Sequence, residues 1–248
     1  MHDWLVPDWP APSGVRAVCT TRAGGVSQGA CGGLNLGGHV GDEPANVAAN
    51  RAQFQAAIGV RPVFLQQVHG IDVLPIDAAT PDGAVADACT TLDASVACTI
   101  MVADCLPVLF TDRDGQQVAA AHAGWRGLAA GVLERTAGVF GDARPMAWLG
   151  PCIGPSAFEV GDEVRAAFVA QAAEADACFQ PGPASGKWWA NLPALARQRL
   201  RAAGVEVVFG NDGSDAWCTV RNPLRFFSHR RDGGSGAAGR FAAAIWRD

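Results

Sequence analysis

A chain of 248 residues, 49% hydrophobic and 17% charged, can bury one sizeable core or two small ones. Its 19 basic residues against 24 acidic ones leave a net charge of −5, which argues against a general nucleic-acid binder. No apolar run approaches the ~20 residues of a membrane helix, and Met1-His2-Asp3-Trp4 starts no basic-then-apolar leader, so a cytoplasmic protein without membrane or nucleic-acid partners is expected.

In chain order, Gly14 to Thr21 alternates and is rich in β-branched residues, which predicts a strand. A glycine-dense segment follows from Arg22 through Gly38, with Arg22 and Asn35 as its most useful polar groups. It lacks the Lys-Ser/Thr ending of a phosphate loop and opens no helix with a Gly-x-Gly-x-x-Gly pattern, so it reads equally as a ligand-approach segment or a surface loop. Asp42-Glu43-Pro44 predicts a helix start with Asp42 as N-cap, and Gly59 its stop. Short apolar runs from Val63 to Phe110 predict sheet; Asp87, between two of them, either orients a ligand or caps a turn. Leu128 to Phe140 reads as one helix with Leu128, Val132, Leu133 and Val139 inward. Asp162 caps a helix that runs to about Ala173, Gln171 to Ser185 reads as a flexible insertion, and Asn191-Leu192-Pro193 opens a helix that Gly204 closes. Strands are expected at Pro145 to Leu149 and Val205 to Phe209, and the chain closes on a last apolar run, Phe241 to Trp246. With no repeat and no sharp break in composition, a single domain of mixed strands and helices over residues 1–248 is expected, a fold of the α/β (α+β) class.

The chemistry concentrates between Ala103 and Gly127. Two apolar runs flank Asp112-Arg113-Asp114-Gly115, a turn signal that folds them into a hairpin and brings Cys105 close to His122. His69, in Gln66-Gln67-Val68-His69-Gly70, ends another apolar run. Two imidazoles and a thiolate supply three of the four positions of tetrahedral zinc and leave one open for water or substrate; without metal, Cys105 and His122 form a nucleophile and base. Most of the cysteines sit in apolar runs, no Cys-x-x-Cys pair occurs, and all eight are expected as reduced thiols. Ala123 to Gly127 is a strand-to-helix junction whose N–H groups, with the Arg126 guanidinium, suit an anion such as phosphate. His39 and His229, each weighed alone, read as structural histidines.

Seven stretches carry a resemblance: Thr20 to Ser27, Asn35-Leu36-Gly37, Gln67-Val68-His69-Gly70, Ala103 to Val108, His122-Ala123-Gly124-Trp125-Arg126-Gly127, Gly150 to Gly154, and Phe227-Ser228-His229-Arg230-Arg231-Asp232-Gly233. Over nearly the whole chain, in one order, the sequence resembles the YfiH-like family, also called the laccase-domain or polyphenol oxidase family and described as purine nucleoside phosphorylases. The resemblance implies a single-domain layered α/β/β sandwich, similar in architecture to a toxin hydrolase with a Cys-His site. It implies cleavage of adenosine, inosine, guanosine and methylthioadenosine by phosphate, with adenosine deamination as a second activity. His69, Cys105 and His122 become the catalytic metal ligands, for zinc or alternatively copper. Arg22, Arg126 and Arg230 are then the candidate phosphate-binding cations, and Asn35 and Ser228 the candidate sugar or base contacts.

The deaminase pattern His-x-Glu with Pro-Cys-x-x-Cys is missing, so Asp104 or a water would have to carry the proton in a deamination. Five histidines cannot furnish a multicopper cluster as well, which leaves phenol oxidation as a side reaction of one bound copper. The remaining alternatives are a metal-free thiol hydrolase or amidase acting on a cell-wall precursor through Cys105 and His122, and a metal-stabilised binding protein. The state of association stays open between monomer and homodimer.

Overall fold

The computed structural model describes residues 2–235 and 237–248. The first half of the chain runs β1 (Val15–Cys19), α1 (Pro44–Ile58), β2 (Arg61–Phe64), β3 (Val73–Pro75), β4 (Ala88–Thr91), β5 (Val96–Val102), β6 (Leu106–Thr111) and β7 (Val118–Ala123). There follow α2 (Trp125–Ala130), α3 (Val132–Gly138), β8 (Met146–Leu149), β9 (Glu159–Gly161), α4 (Asp162–Val169), β10 (Phe179–Pro181) and β11 (Lys187–Ala190). The last elements are α5 (Leu192–Ala202), β12 (Val208–Gly210), the single turn α6 (His229–Asp232) and β13 (Phe241–Arg247).

Two sheets form the centre, a six-stranded one in the order β12-β8-β6-β7-β4-β3 and a four-stranded one in the order β1-β13-β5-β2. Side chains alternate across a strand, so strands buried on both faces must be apolar at every position. In β6, Leu106, Val108 and Phe110 point to the helical layer while Leu109 points to the facing sheet; in β13, Phe241, Ala243 and Ile245 face that interior while Ala242 and Ala244 face α1. This explains the unbroken apolar runs of the sequence. The result is a layered sandwich: helices α3 and α5 on one sheet, sheet against sheet, and α1 with the glycine-dense segment outside. A small sheet, β10-β11-β9, closes one end.

Local chemistry moves several expected boundaries. Helix α1 starts at Pro44 as expected and ends at Gly59 with φ 78°, but its N-cap is Glu43 without a side-chain bond. The Asp42 carboxylate instead accepts from Ser27 Oγ (2.6 Å) and Asn35 Nδ2 (2.7 Å). The single helix expected over Leu128 to Phe140 is two, because Gly131 takes φ 104° between α2 and α3, and Val139 falls on the exposed side. The helix at Asp162 stops at Val169, with Asp162 inside it and Gly161 as the cap.

Gln171 to Ser185 is no loose insertion. It holds a 3₁₀ turn over Ala173–Cys178 and then β10, which pairs with β11. Trp188 on β11 fixes this sheet to α4 by donating from Nε1 to Asp162 Oδ1 (2.6 Å), with Arg165 stacked over its ring. The strand expected from Val205 begins only at Val208, where parallel pairing with β8 starts. Asn191 opens α5 by accepting from Ala194 N–H (3.0 Å), and Gly204 follows its end with φ 81°, both as expected. None of the eight cysteines is paired, and all but Cys105 are buried.

Candidate active site

The hairpin places the first two groups. Strands β6 and β7 pair antiparallel with Pro107 opposite His122 and Leu106 opposite Ala123, and the Asp112 carboxylate accepts from Gln116 N–H (2.7 Å) to hold the turn. Cys105, just before β6, therefore sits beside His122 near the end of β7. His69 arrives on the segment between β2 and β3, and its Nε2 lies 3.7 Å from Cys105 Sγ. The ring centroids of His69 and His122 are 4.8 Å apart at 70°, and one ligand atom from each of the three residues falls within 4.8 Å of the others.

One carboxylate organises both histidines. Asp87, fully buried, lies 2.8 Å by Oδ1 from His122 Nδ1, and it accepts from the N–H groups of Val68 (3.0 Å), His69 (2.8 Å) and Gly70 (2.6 Å). The sequence left Asp87 between ligand orientation and turn capping; the structure gives it both tasks, since the turn it caps is the one that carries His69. With Nδ1 on Asp87, His122 turns Nε2 toward the cluster, the arrangement a carboxylate imposes on metal-binding imidazoles.

Backbone strain sits at the same place. Among the described residues other than glycine, only His69 (φ 62°) and Asp104 (φ 90°) have positive φ, and they are a cluster residue and the neighbour of another. Asp104 is held by Thr219 Oγ1, which donates to Oδ1 (2.5 Å), and by Arg230 N–H, which donates to Oδ2 (2.6 Å). Gly124 is needed by space: a Cβ there would meet His69 Cδ2 at 2.7 Å and Cys105 Sγ at 3.0 Å.

Burial alone would push the Cys105 thiol up, but the charge of His122 and hydrogen bonds from His122 and His69 bring it down to about 6. Burial would lower His122; the Cys105 thiolate and the Asp87 carboxylate raise it to about 9. Free of metal, the pair is a thiolate beside an imidazolium. The donor set, two imidazole nitrogens and a thiolate within 4.8 Å of one another, is of the kind that binds zinc.

Two cavities meet at the cluster. A polar one of about 290 Å³ is bounded by His39, His69, His122, Arg126, His229 and Arg240. An apolar slot of about 140 Å³ lies between Trp125, Ile153, Phe158 and Leu192. Ala103, Cys105 and His229 belong to both walls. A larger hollow of about 440 Å³ lined by Trp4, Trp9 and Trp246 shares no residue with the cluster.

The substrate candidates separate. Arg126 borders the polar cavity, its guanidinium 4.5 Å from the Trp125 ring, and Arg230 borders the slot, donating from Nη2 to Glu159 O (3.1 Å). Arg22 donates to Pro223 O (3.0 Å) and Gly32 O (3.3 Å), over the Phe227 ring. Asn35 is fully buried among Gly37, Asp42 and Arg240 N–H, and Ser228 caps α6 by accepting from Arg231 N–H (3.1 Å). Arg22, Asn35 and Ser228 border neither cavity. Arg240 was not among the substrate candidates, and His39 and His229, each weighed alone, read as structural.

A family model described as multi-copper polyphenol oxidoreductase laccase matches residues 16–248. Purine nucleoside phosphorylase PA4543 of Pseudomonas aeruginosa is 52% identical over 250 residues, covering 99% of both chains. Purine nucleoside phosphorylase YfiH of Escherichia coli is 49% identical over 251 residues, again covering 99% of both. The crystal structure of Neisseria meningitidis protein NMB0706 superposes with a TM-score of 0.90 at 48% identity, covering 99% of each chain. That of YlmD from Geobacillus stearothermophilus gives 0.88 at 31%, covering 98% of this chain and 96% of the other.

Proposed function

The chain belongs to the YfiH-like, laccase-domain family, and on that premise we propose that it is a purine nucleoside phosphorylase, with His69, Cys105 and His122 holding a zinc ion. The observation that carries the reading is the meeting of a cation-bordered cavity and an apolar slot at this cluster. The relatives' names supply the substrate class: purine nucleosides and phosphate. Adenosine, inosine, guanosine and methylthioadenosine are the substrates proposed.

The residues have defined tasks. Arg126 faces the polar cavity, where its charge suits phosphate, and Arg230 stands at the slot side of the same site. Asp87 orients His122 and the His69 turn, so the cluster is preorganised before substrate arrives. Bound zinc would add Lewis-acid charge stabilisation and an activated water at the open position. Such a water is what deamination of adenosine needs, with buried Asp104 beside Cys105 as the proton carrier; that second activity is part of the proposal. Copper at the same ligands, with phenol oxidation as a side reaction, is the lesser alternative.

A second reading has its own observation. Cys105, His122 and Asp87 stand in the order of a nucleophile, its base and the carboxylate that orients the base, with the thiol brought down to about 6. A thiol hydrolase would use them without metal and without phosphate. The test incubates the four nucleosides with and without phosphate, using wild type and Cys105→Ala, and resolves free base and ribose 1-phosphate. Phosphate-dependent release lost in the variant is expected. Release that survives Cys105→Ala removes the assigned site, and no release from any nucleoside removes the function.

A further inference from the structure

Building on the phosphorylase reading, we infer that the substrate straddles the two cavities: the purine base lies in the apolar slot against Trp125 and Phe158, and phosphate lies in the polar cavity against Arg240. Neither Trp125, Phe158 nor Arg240 was among the candidates that the motifs singled out.

The reaction sets the geometric requirement. The bond from the anomeric carbon to the base nitrogen breaks, with its electron pair going to the base. A phosphate oxygen forms the new bond to that carbon, and the proton of hydrogen phosphate ends on the released base. Nucleophile and leaving group stand on opposite sides of the carbon under attack, so the site must offer two compartments of different chemistry with the sugar between them. The cavities provide this, since their shared wall is Ala103, Cys105 and His229.

Their chemistry decides which compartment takes which group. Arg240 and Arg126 border the polar cavity. Arg240 is half-buried; its Nη1 holds the Ala238 and Gly239 carbonyls, and among the described residues no hydrogen bond occupies its Nε or Nη2. A partly desolvated guanidinium with free donors suits an anion. Burial and the charges of Arg240 and Arg51 push His39 down, which favours its neutral form, so Arg240 and Arg126 supply the arginine charge at this wall of the cavity. The slot is the reverse: Trp125, Ile153, Phe158 and Leu192 form apolar walls, with Asp104 at the edge. Arg230 also borders the slot, but its Nη2 donates to Glu159 O and its N–H to the Asp104 carboxylate, so phosphate there would also face that carboxylate, whereas a flat heteroaromatic ring gains stacking against the apolar walls. Asp104 accepts on each carboxylate oxygen already, and the second lone pairs remain for an N–H on the edge of the base.

The experiment is a crossed pair of variants on the full chain. Hypoxanthine binding is followed by tryptophan fluorescence or calorimetry, and KM for inosine and for phosphate is measured alongside. Trp125→Ala should weaken hypoxanthine by about 10-fold or more, as expected for loss of a stacking face, with KM for phosphate within about twofold of wild type. Trp125→Phe should recover most of the loss, and Phe158→Leu should repeat it in a variant that leaves Trp125 in place. Arg240→Gln should do the opposite, raising KM for phosphate by about 10-fold and leaving hypoxanthine affinity unchanged. Melting curves confirm that each variant is folded. If wild type cleaves inosine and neither slot variant moves hypoxanthine, the inference is overturned while the phosphorylase reading stands. If wild type binds hypoxanthine through the slot but cleaves nothing, the slot stands and the phosphorylase reading falls. Equal affinity for catechol and hypoxanthine would overturn the assignment to a purine.

Discussion

Two stretches of this chain are dense in glycine and polar residues, and they come to opposite ends. In the segment from Arg22 to Asp42 the polar groups turn on one another. Asn50, reaching in from α1, donates to Ser27 Oγ (2.9 Å) and Asn35 O (2.8 Å) and accepts from Val26 N–H (2.9 Å), while Asn35 serves Gly37, Asp42 and Arg240. Gly25 is required there because a Cβ would meet Gly33 O, Leu34 Cα and Asn50 Oδ1 within 2.7 Å. Around His69, Cys105 and His122, by contrast, the hydrogen bonds come from behind, and the imidazole and thiol faces are left toward the cavities. A polar cluster whose bonding is closed holds structure; one supported from outside and open inward is built for a ligand.

The contrast breaks first at the thiol. Cys105→Ala should remove metal from protein purified without added metal and lower nucleoside phosphorolysis by about 10³-fold or more, while the variant stays folded with a melting temperature below that of metal-loaded wild type, since bound metal stabilises the native state. Metal analysis and the base-release assay check both halves. A variant that keeps full metal content would move the centre elsewhere.

Asp87→Asn tests the support behind the cluster. It keeps the shape but removes the charge that faces His122 Nδ1 and weakens the acceptor for the His69 turn. Metal affinity or activity should fall by about 10- to 100-fold, the usual cost of an altered orienting partner, and competition with a chelator measures it. Retained affinity would make Asp87 a turn cap and nothing more.

Asn50→Ala should invert the pattern. Its side chain satisfies buried groups in the glycine-dense segment, so its loss should cost about 1–3 kcal/mol of stability, read as a lower denaturant midpoint. At temperatures where the variant is folded, metal content and KM for phosphate should match wild type. A selective rise in KM for phosphate would show that this segment, too, faces the substrate.

What the sequence could disclose follows the same division. The pairing of Cys105 with His122 was legible because the Asp112 to Gly115 turn fixes which strand ends meet. His69 became a partner through the motif around it, since nothing in its spacing reports that Asp87, 18 residues later, would draw its turn inward. The closed network of Asn35 and Asn50 was invisible for a similar reason: Asn50 looked like an ordinary position on α1, and only packing aims it into the loop. The break at Gly131 and the ordered sheet after α4 depend on a positive φ and on a tryptophan reaching across to Asp162, which composition cannot report. Arg22 and Arg126 were alike as sequence signals and differ only in what stands beside them, two carbonyls for one and a cavity for the other.

The smallest expected effect is a displacement along the pH axis in metal-free protein. Cys105 is brought down to about 6, so its contribution to stability is complete above the pKa of an unfolded thiol and is lost as pH falls through 6. His122 is raised to about 9, so its contribution is complete below the pKa of an unfolded imidazole and is lost as pH rises through 9. The two slopes oppose each other, and between those values the pair should hold stability nearly level with pH. Cys105→Ser removes the rising slope outright and shrinks the falling one, because the charge that most raises His122 goes with it, so a series of denaturation midpoints should show only the weaker fall with pH that the Asp87 carboxylate still imposes on His122. Absorbance of the thiolate near 240 nm should rise around pH 6 in metal-free wild type, and later in His122→Gln, where the neighbouring charge is gone. A thiol that titrates near its free value of about 8.5 in wild type would mean that Cys105 and His122 do not form an ion pair, and the metal-free hydrolase reading would lose its nucleophile.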